Sequence, residues 1–227
     1  MTGPSLLNLL SLKDQVYDYL RERMKKGELR PGAAINTDET SERLGISKTP
    51  LRDALIRLEV EGFVTILPRR GVIVNRLSLA EIKDFYQIIG ALESTALLSA
   101  APRMGVREVE RMKRLNGRMR DALAKDNFEL YYNHNLAMHN VYIDVCGNGT
   151  IRSTLDTLKK RLYDFPRSPD FIKEWEERST EEHQTFIQLL SDGRFDEAAL
   201  YMRDVHWSFE VQKPFLVKYY SIEEDHV

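Results

Sequence analysis

The sequence predicts a mainly α-helical protein in two parts: residues 1–76 as a small helical module ending in a two-stranded ribbon, and residues 77–227 as an all-α bundle of about six helices. Three observations predict it. Between Leu44 and Val74 a short turn, an amphipathic stretch and two runs of β-formers follow one another directly. From Ser78 onward apolar residues recur at helical spacing and no run of β-formers intervenes. Breaks rich in Gly, Asn, Asp or Pro then cut that remainder into lengths usual for globular helices.

Taken in order, residues 1–10 form a short tail. Ser11-Leu12-Lys13-Asp14 starts a first helix, whose stripe of Leu12, Val16, Tyr19, Leu20 and Met24 runs to Gly27. Asn36-x-x-Glu39 opens a second, short helix with few apolar residues. In the third helix Leu51, Leu55 and Leu58 recur at i, i+4 and i+7 with Ala54 among them, so this stripe faces a core. Gly45 suits a turn residue with positive φ, and Pro50 fits the first helical turn. Either Ser47 or Thr49 can cap that helix. After Gly62, FVTIL and GVIV flank Pro68-Arg69-Arg70-Gly71, a hairpin with two arginines at its tip. Ser78-x-x-Glu81 is a capping box that opens the second part. Helices are expected near 79–103, 106–125, 128–145, 150–164, 170–191 and 195–213 or beyond, with Pro214 ending or kinking the last and SIEEDHV as a polar tail.

The whole chain sets limits. Its 227 residues suffice for two domains with their own cores, and 42% hydrophobic with 30% charged residues is the composition of a soluble globular protein. Cys146 is the single cysteine, which excludes an internal disulfide or a cysteine-based zinc site and suits a reducing, cytoplasmic compartment. The longest apolar run, Ile88 to Ala101, is broken by Glu93 and too short to span a bilayer, and the start lacks the pattern of a signal peptide. Charge is unevenly spread. Residues 1–76 carry 13 Lys and Arg against 10 Asp and Glu, a net +3, which leaves −5 of the total −2 on the remainder. A basic amino-terminal part agrees with a polyanionic partner there, bound in a salt-sensitive way.

The third helix places Lys48, Thr49 and Arg52 opposite its leucine stripe, near a helix start where amide N–H groups also favour anions. Phosphates and base edges suit such a face, and an arginine-tipped hairpin suits a minor groove. The motifs G-x-L-x-P-G at Gly27 to Gly32, LGISKTPLRDALIRLEVEGFV and RRGVIV, in this order, resemble the winged helix-turn-helix of the GntR family of bacterial transcription regulators over about residues 11 to 76. The resemblance implies that Ser47, Lys48, Thr49 and Arg52 contact double-stranded DNA, with Arg69, Arg70 and Gly71 at the wing. The chain departs from the pattern at Asp38, where relatives often carry a basic residue.

Three of the five histidines, His139, His183 and His206, fall on three different expected helices, and Asn135 precedes His139 by one helical turn. A bundle can aim such groups at one point, where imidazoles suit Zn, Ni, Cu, Co or Fe; hydrogen-bonded core histidines are the simpler alternative. The register N-x-x-x-H, EEH and MRDVH resembles the FCD ligand-binding domain of the FadR-like branch of that family, over about residues 78–213. The resemblance implies a divalent metal, Zn or Ni foremost, held by Asn135, His139, His183 and His206, and a small organic acid beside it. Two departures stand out. Asn135 replaces the usual Asp, and Ile89 replaces the Arg of R-x-x-L-E, so that an effector carboxylate either loses this clamp or meets another cation such as Arg152 or Arg161, both of which also read as surface residues.

The expected protein is a homodimeric, metabolite-responsive regulator reading a two-fold symmetric operator, with no catalytic residues and no membrane partner. The same regulator without metal is one alternative. A helical three-histidine metalloenzyme with Glu182 beside His183 is the other, but it leaves the first 76 residues unexplained.

Overall fold

The computed structural model describes residues 11–164, 172–220 and 222. The expected tail at 1–10, the break at Pro166 to Pro169 and the end of the chain with His226 lie outside the described residues. The chain divides into two compact units, Met1–Leu77 with Lys160–Pro169, and Ser78–Lys159 with Asp170–Val227.

In the first unit, helix α1 (Leu12–Lys25) packs on α3 (Lys48–Val60), with the short α2 (Thr37–Leu44) against α3. Ser11 caps α1, but its inward face is Val16, Tyr17, Leu20 and Met24; Leu12 is exposed and Tyr19 only half-buried. The register differs because Tyr17 reaches across to α3, donating its hydroxyl to Glu61 beneath the Arg57 guanidinium. Asn36 caps α2 by accepting from the Asp38 and Glu39 amides, and Gly45 ends it at φ 65°. Leu51, Ala54, Leu55 and Leu58 of α3 are all buried as the stripe requires. Ser47 holds the cap position of α3 in extended backbone, yet its hydroxyl makes no capping bond.

The hairpin forms from β2 (Val64–Leu67) and β3 (Gly71–Val74), paired antiparallel with Leu67 opposite Gly71. A third strand, β1 (Ala34–Ile35), joins the free side of β3 and gives the order β1-β3-β2. Two residues carry no legible period, so the sequence could not announce it. Phe63, Val64, Val72 and Val74 close the core under α3.

The second unit is helical throughout its described residues. The capping box at Ser78 and Glu81 opens α4 (Leu79–Ala100), which packs against α6 (Phe128–Cys146) and the carboxy-terminal helices. Helix α5 (Val106–Ala124) lies against α6 and α8 (Lys173–Ser191), and α7 (Gly149–Asp164) follows α6. The expected last helix is in fact three pieces. Helix α9 (Phe195–Tyr201) runs into a π-helical turn, Met202–His206, and after Trp207 and Ser208 the chain continues as α10 (Phe209–Tyr220), with Pro214 inside it. No described helix is long and apolar enough to cross a membrane.

Candidate functional site

The π-helical turn is what delivers His206. An extra residue in a turn rotates the following side chains, and Trp207 comes to pack against Gly90 of α4, where a Cβ atom would stand 3.0 Å from the Trp207 Cβ. Helices α6 and α8 supply His139 and His183. The three rings then meet pairwise with centroids 4.7, 5.1 and 5.2 Å apart, and one nitrogen of each lies within 4.8 Å of one from each of the others.

Two buried carboxylates orient two of these rings. Glu93, on α4, has its Oε2 2.8 Å from His139 Nδ1, and it also accepts from the Tyr142 hydroxyl at 2.6 Å and the Trp207 indole N–H at 2.8 Å. Its Oε1 pairs with Lys159 of α7, itself 95% buried at the side chain. Glu182 on α8 does the same for His206, with Oε2 2.9 Å from Nδ1, and is held by Gln212 and Arg178. A carboxylate on Nδ1 fixes the proton there and turns Nε2 outward as a lone-pair donor.

Electrostatics agree with this geometry. Burial opposes the Glu93 charge, but His139 and the Lys159 ammonium outweigh it and hold its carboxyl well below the usual range. Burial drives the His139 imidazole down to about 4 against the pull of Glu93, and it drives His183 well below its usual value, with His206 and His139 adding to the fall. Neutral imidazole is the ligating form.

The donor set fits a divalent transition metal. His139 Nε2, both His183 nitrogens and Asn135 Oδ1 are buried with no hydrogen-bond partner among the described residues. Buried polar atoms without partners are costly and uncommon in folded proteins, and those of His139 and His183 converge with His206. Asn135 is 6% exposed and stands one turn before His139 on the same helix.

The other expected site residues fall as follows. Ser47, Lys48, Thr49, Arg52, Arg69, Arg70 and Gly71 are all exposed. Arg69 sits at the hairpin tip with φ 63°, and Arg52, Arg69 and Arg70 make no ion pair among the described residues. Lys48 does make one, its Nζ 2.6 Å from the Asp38 carboxylate. Of the two expected effector arginines, Arg152 is already engaged by acids. It pairs with Asp144 of the preceding helix α6 and, at 3.0 Å, with Asp156 one turn further along its own helix. Arg161 belongs to the Lys160–Pro169 segment of the first unit, whereas the histidines belong to the second. Lys159 is the cation at the cluster, and sequence reasoning missed it. Its signal was a lysine at i+4 from buried Leu155, just as the signal for Glu93 was a lone acid within the apolar run Ile88 to Ala101. His134 stands outside the cluster, and Trp175 stacks on Phe215 as a packing residue.

Comparison with known proteins gives two matches to family models: residues 84–206 match the FCD domain, and residues 12–74 match the bacterial regulatory proteins of the gntR family. The chain is similar to an uncharacterised HTH-type transcriptional regulator of Streptomyces ambofaciens, 30% identical over 152 residues, and spans 61% of that protein with 65% of itself. It is similar also to the Nta operon transcriptional regulator of Aminobacter aminovorans, 29% identical over 181 residues, covering 76% of this chain and 80% of that protein. Among solved structures it resembles Escherichia coli McbR/YncC, with a TM-score of 0.68, 19% identity, and coverage of 92% of this chain and 97% of that one, a likeness of fold alone.

Proposed function

The chain belongs to the gntR family of bacterial transcription regulators, with a DNA-binding winged helix-turn-helix and an FCD domain, and on that footing we propose that it is a metal-dependent, metabolite-responsive homodimer. Both matched families are regulators rather than enzymes. The observation that carries the proposal is the pair of carboxylate-held imidazoles, His139 on Glu93 and His206 on Glu182, converging with the buried His183.

In this reading His139, His183 and His206 hold a divalent ion such as Zn or Ni, with Asn135 supplying an amide oxygen. The bound ion supplies a Lewis-acidic anchor for the carboxylate of a small organic acid. The chain does the rest. Glu93 and Glu182 keep both Nδ1 atoms protonated, and Lys159, Tyr142 and Trp207 satisfy Glu93 so that it stays put. Asn135 brings no charge, so the site carries one negative charge fewer than a set with Asp and favours an anionic effector.

On the DNA side, Ser47, Lys48, Thr49 and Arg52 meet the major groove and Arg69, Arg70 and Gly71 the neighbouring minor groove. Two modules of a homodimer read half-sites about one helical turn apart. Regulation requires the organic acid to favour one arrangement of those modules over another, since a ligand without such preference shifts nothing. A gel shift on an operator selected from random duplexes tests the reading. Arg52→Ala should weaken operator binding by about 1–3 kcal/mol with the dimer intact; unchanged affinity at matched salt overturns the assigned face.

A further inference from the structure

Helix α5 carries a feature that neither DNA reading nor the histidine cluster uses. Arg107, Arg111, Arg114 and Arg118 recur at i, i+4, i+7 and i+11, within an arc of about 60° on the solvent side of the helix. All four are exposed, and none has an ion pair or hydrogen bond among the described residues. Three of the neighbouring acids are engaged elsewhere, and Asp121 stands exposed beside Arg118. Glu108 accepts from the Gly105 amide at 3.0 Å, Glu110 pairs with Lys113 at 2.9 Å, and Asp144 pairs with Arg152. Like charges stacked along one helix face repel, so the stripe works against the helix until an anion joins it.

The stripe borders a cavity of about 310 Å³ between α5 and α6, lined by Arg107, Arg111 and Arg114, by Val141 and Val145, and by the already engaged carboxylates Glu108 and Asp144. That volume is near the lower limit of small-molecule sites, and its floor is apolar. We propose that this cavity binds a small phosphorylated metabolite, with the guanidiniums of Arg107, Arg111 and Arg114 on its phosphate and the two valines under its carbon body. Guanidinium forks match phosphate oxygens in pairs, which a lone ammonium cannot do. A concave floor within one unit favours a small dianion over a polymer.

Calorimetric titration of the full, metal-loaded chain with inorganic phosphate and with glycerol 3-phosphate, at constant ionic strength, tests this. Saturable binding of one glycerol 3-phosphate per chain is expected, tighter than inorganic phosphate, and weakened about tenfold or more in Arg111→Ala. Arg111→Lys keeps the charge and should still bind weakly, with metal content and melting temperature unchanged in both variants. Binding that persists in Arg111→Ala but vanishes on chelation places the phosphate at the histidines and overturns the proposal. So does the absence of saturable binding, including the case in which Arg111→Ala merely lowers the affinity and salt dependence for nonspecific duplex DNA.

Discussion

His139 is fastened to Glu93: its Nδ1 lies 2.8 Å from the carboxylate Oε2, while its Nε2 is buried without a partner. The two residues are 46 positions apart on different helices, and the same carboxylate anchors Tyr142, Trp207 and Lys159. One acid therefore sets both the aim of a buried imidazole and the packing of the domain around it.

Glu93→Ala should accordingly damage two properties at once. Losing the support of a ligating imidazole lowers metal affinity about 10–100-fold. Leaving Lys159 as an unpaired buried cation costs about 3–5 kcal/mol of stability. Competitive metal titration and denaturant unfolding measure the two effects separately. The double variant Glu93→Ala with Lys159→Met should recover stability but not affinity, and recovery of both would show that Glu93 has no part in aiming His139.

The Lys48–Asp38 pair, at 2.6 Å, joins the first turn of α3 to the first turn of α2 on an exposed surface. DNA bound to that surface meets a carboxylate, and Lys48 cannot give its full charge to a phosphate while Asp38 holds it. Asp38→Asn should therefore raise affinity for nonspecific duplex and steepen the log–log salt dependence by about one unit. Fluorescence anisotropy across a salt series reads the slope. An unchanged slope would mean that Lys48 reaches no phosphate.

Tyr17 gives the winged module a pH limit. Burial first, and then its bond to the Glu61 carboxylate, pushes its hydroxyl from 10.0 up to about 12. Between these values the unfolded chain gives up a proton that the folded chain keeps. The stability this group contributes is thus complete below about pH 10 and is lost as pH rises towards 12. Tyr17→Phe should flatten the dependence in that window, as followed by urea midpoints, and an equally steep fall in the variant would assign it to other groups.

Much of this was legible because it is local. The caps at Ser11, Asn36 and Ser78, the leucine stripe of α3 and the two hairpin strands each depend on residues within a few positions of one another. The three histidines were legible as candidates, since each lies on a helix with an apolar stripe. What escaped depends on distant partners. Met202 to Ser208 contains no Gly or Pro to announce a change of helix, and the π-helical turn arises where Trp207 packs on Gly90 and reaches Glu93. The carboxylates behind His139 and His206 are visible in the sequence as acids, but not as partners of rings 46 and 24 positions away.

Metal content tests the central claim most directly. Native mass spectrometry of the protein purified without chelator should show a dimer with one transition-metal ion per chain, and His139→Ala should remain a dimer while losing the ion. A protein that carries no ion after being offered Zn and Ni, or a His139→Ala variant that binds them as tightly as the parent, would contradict the account.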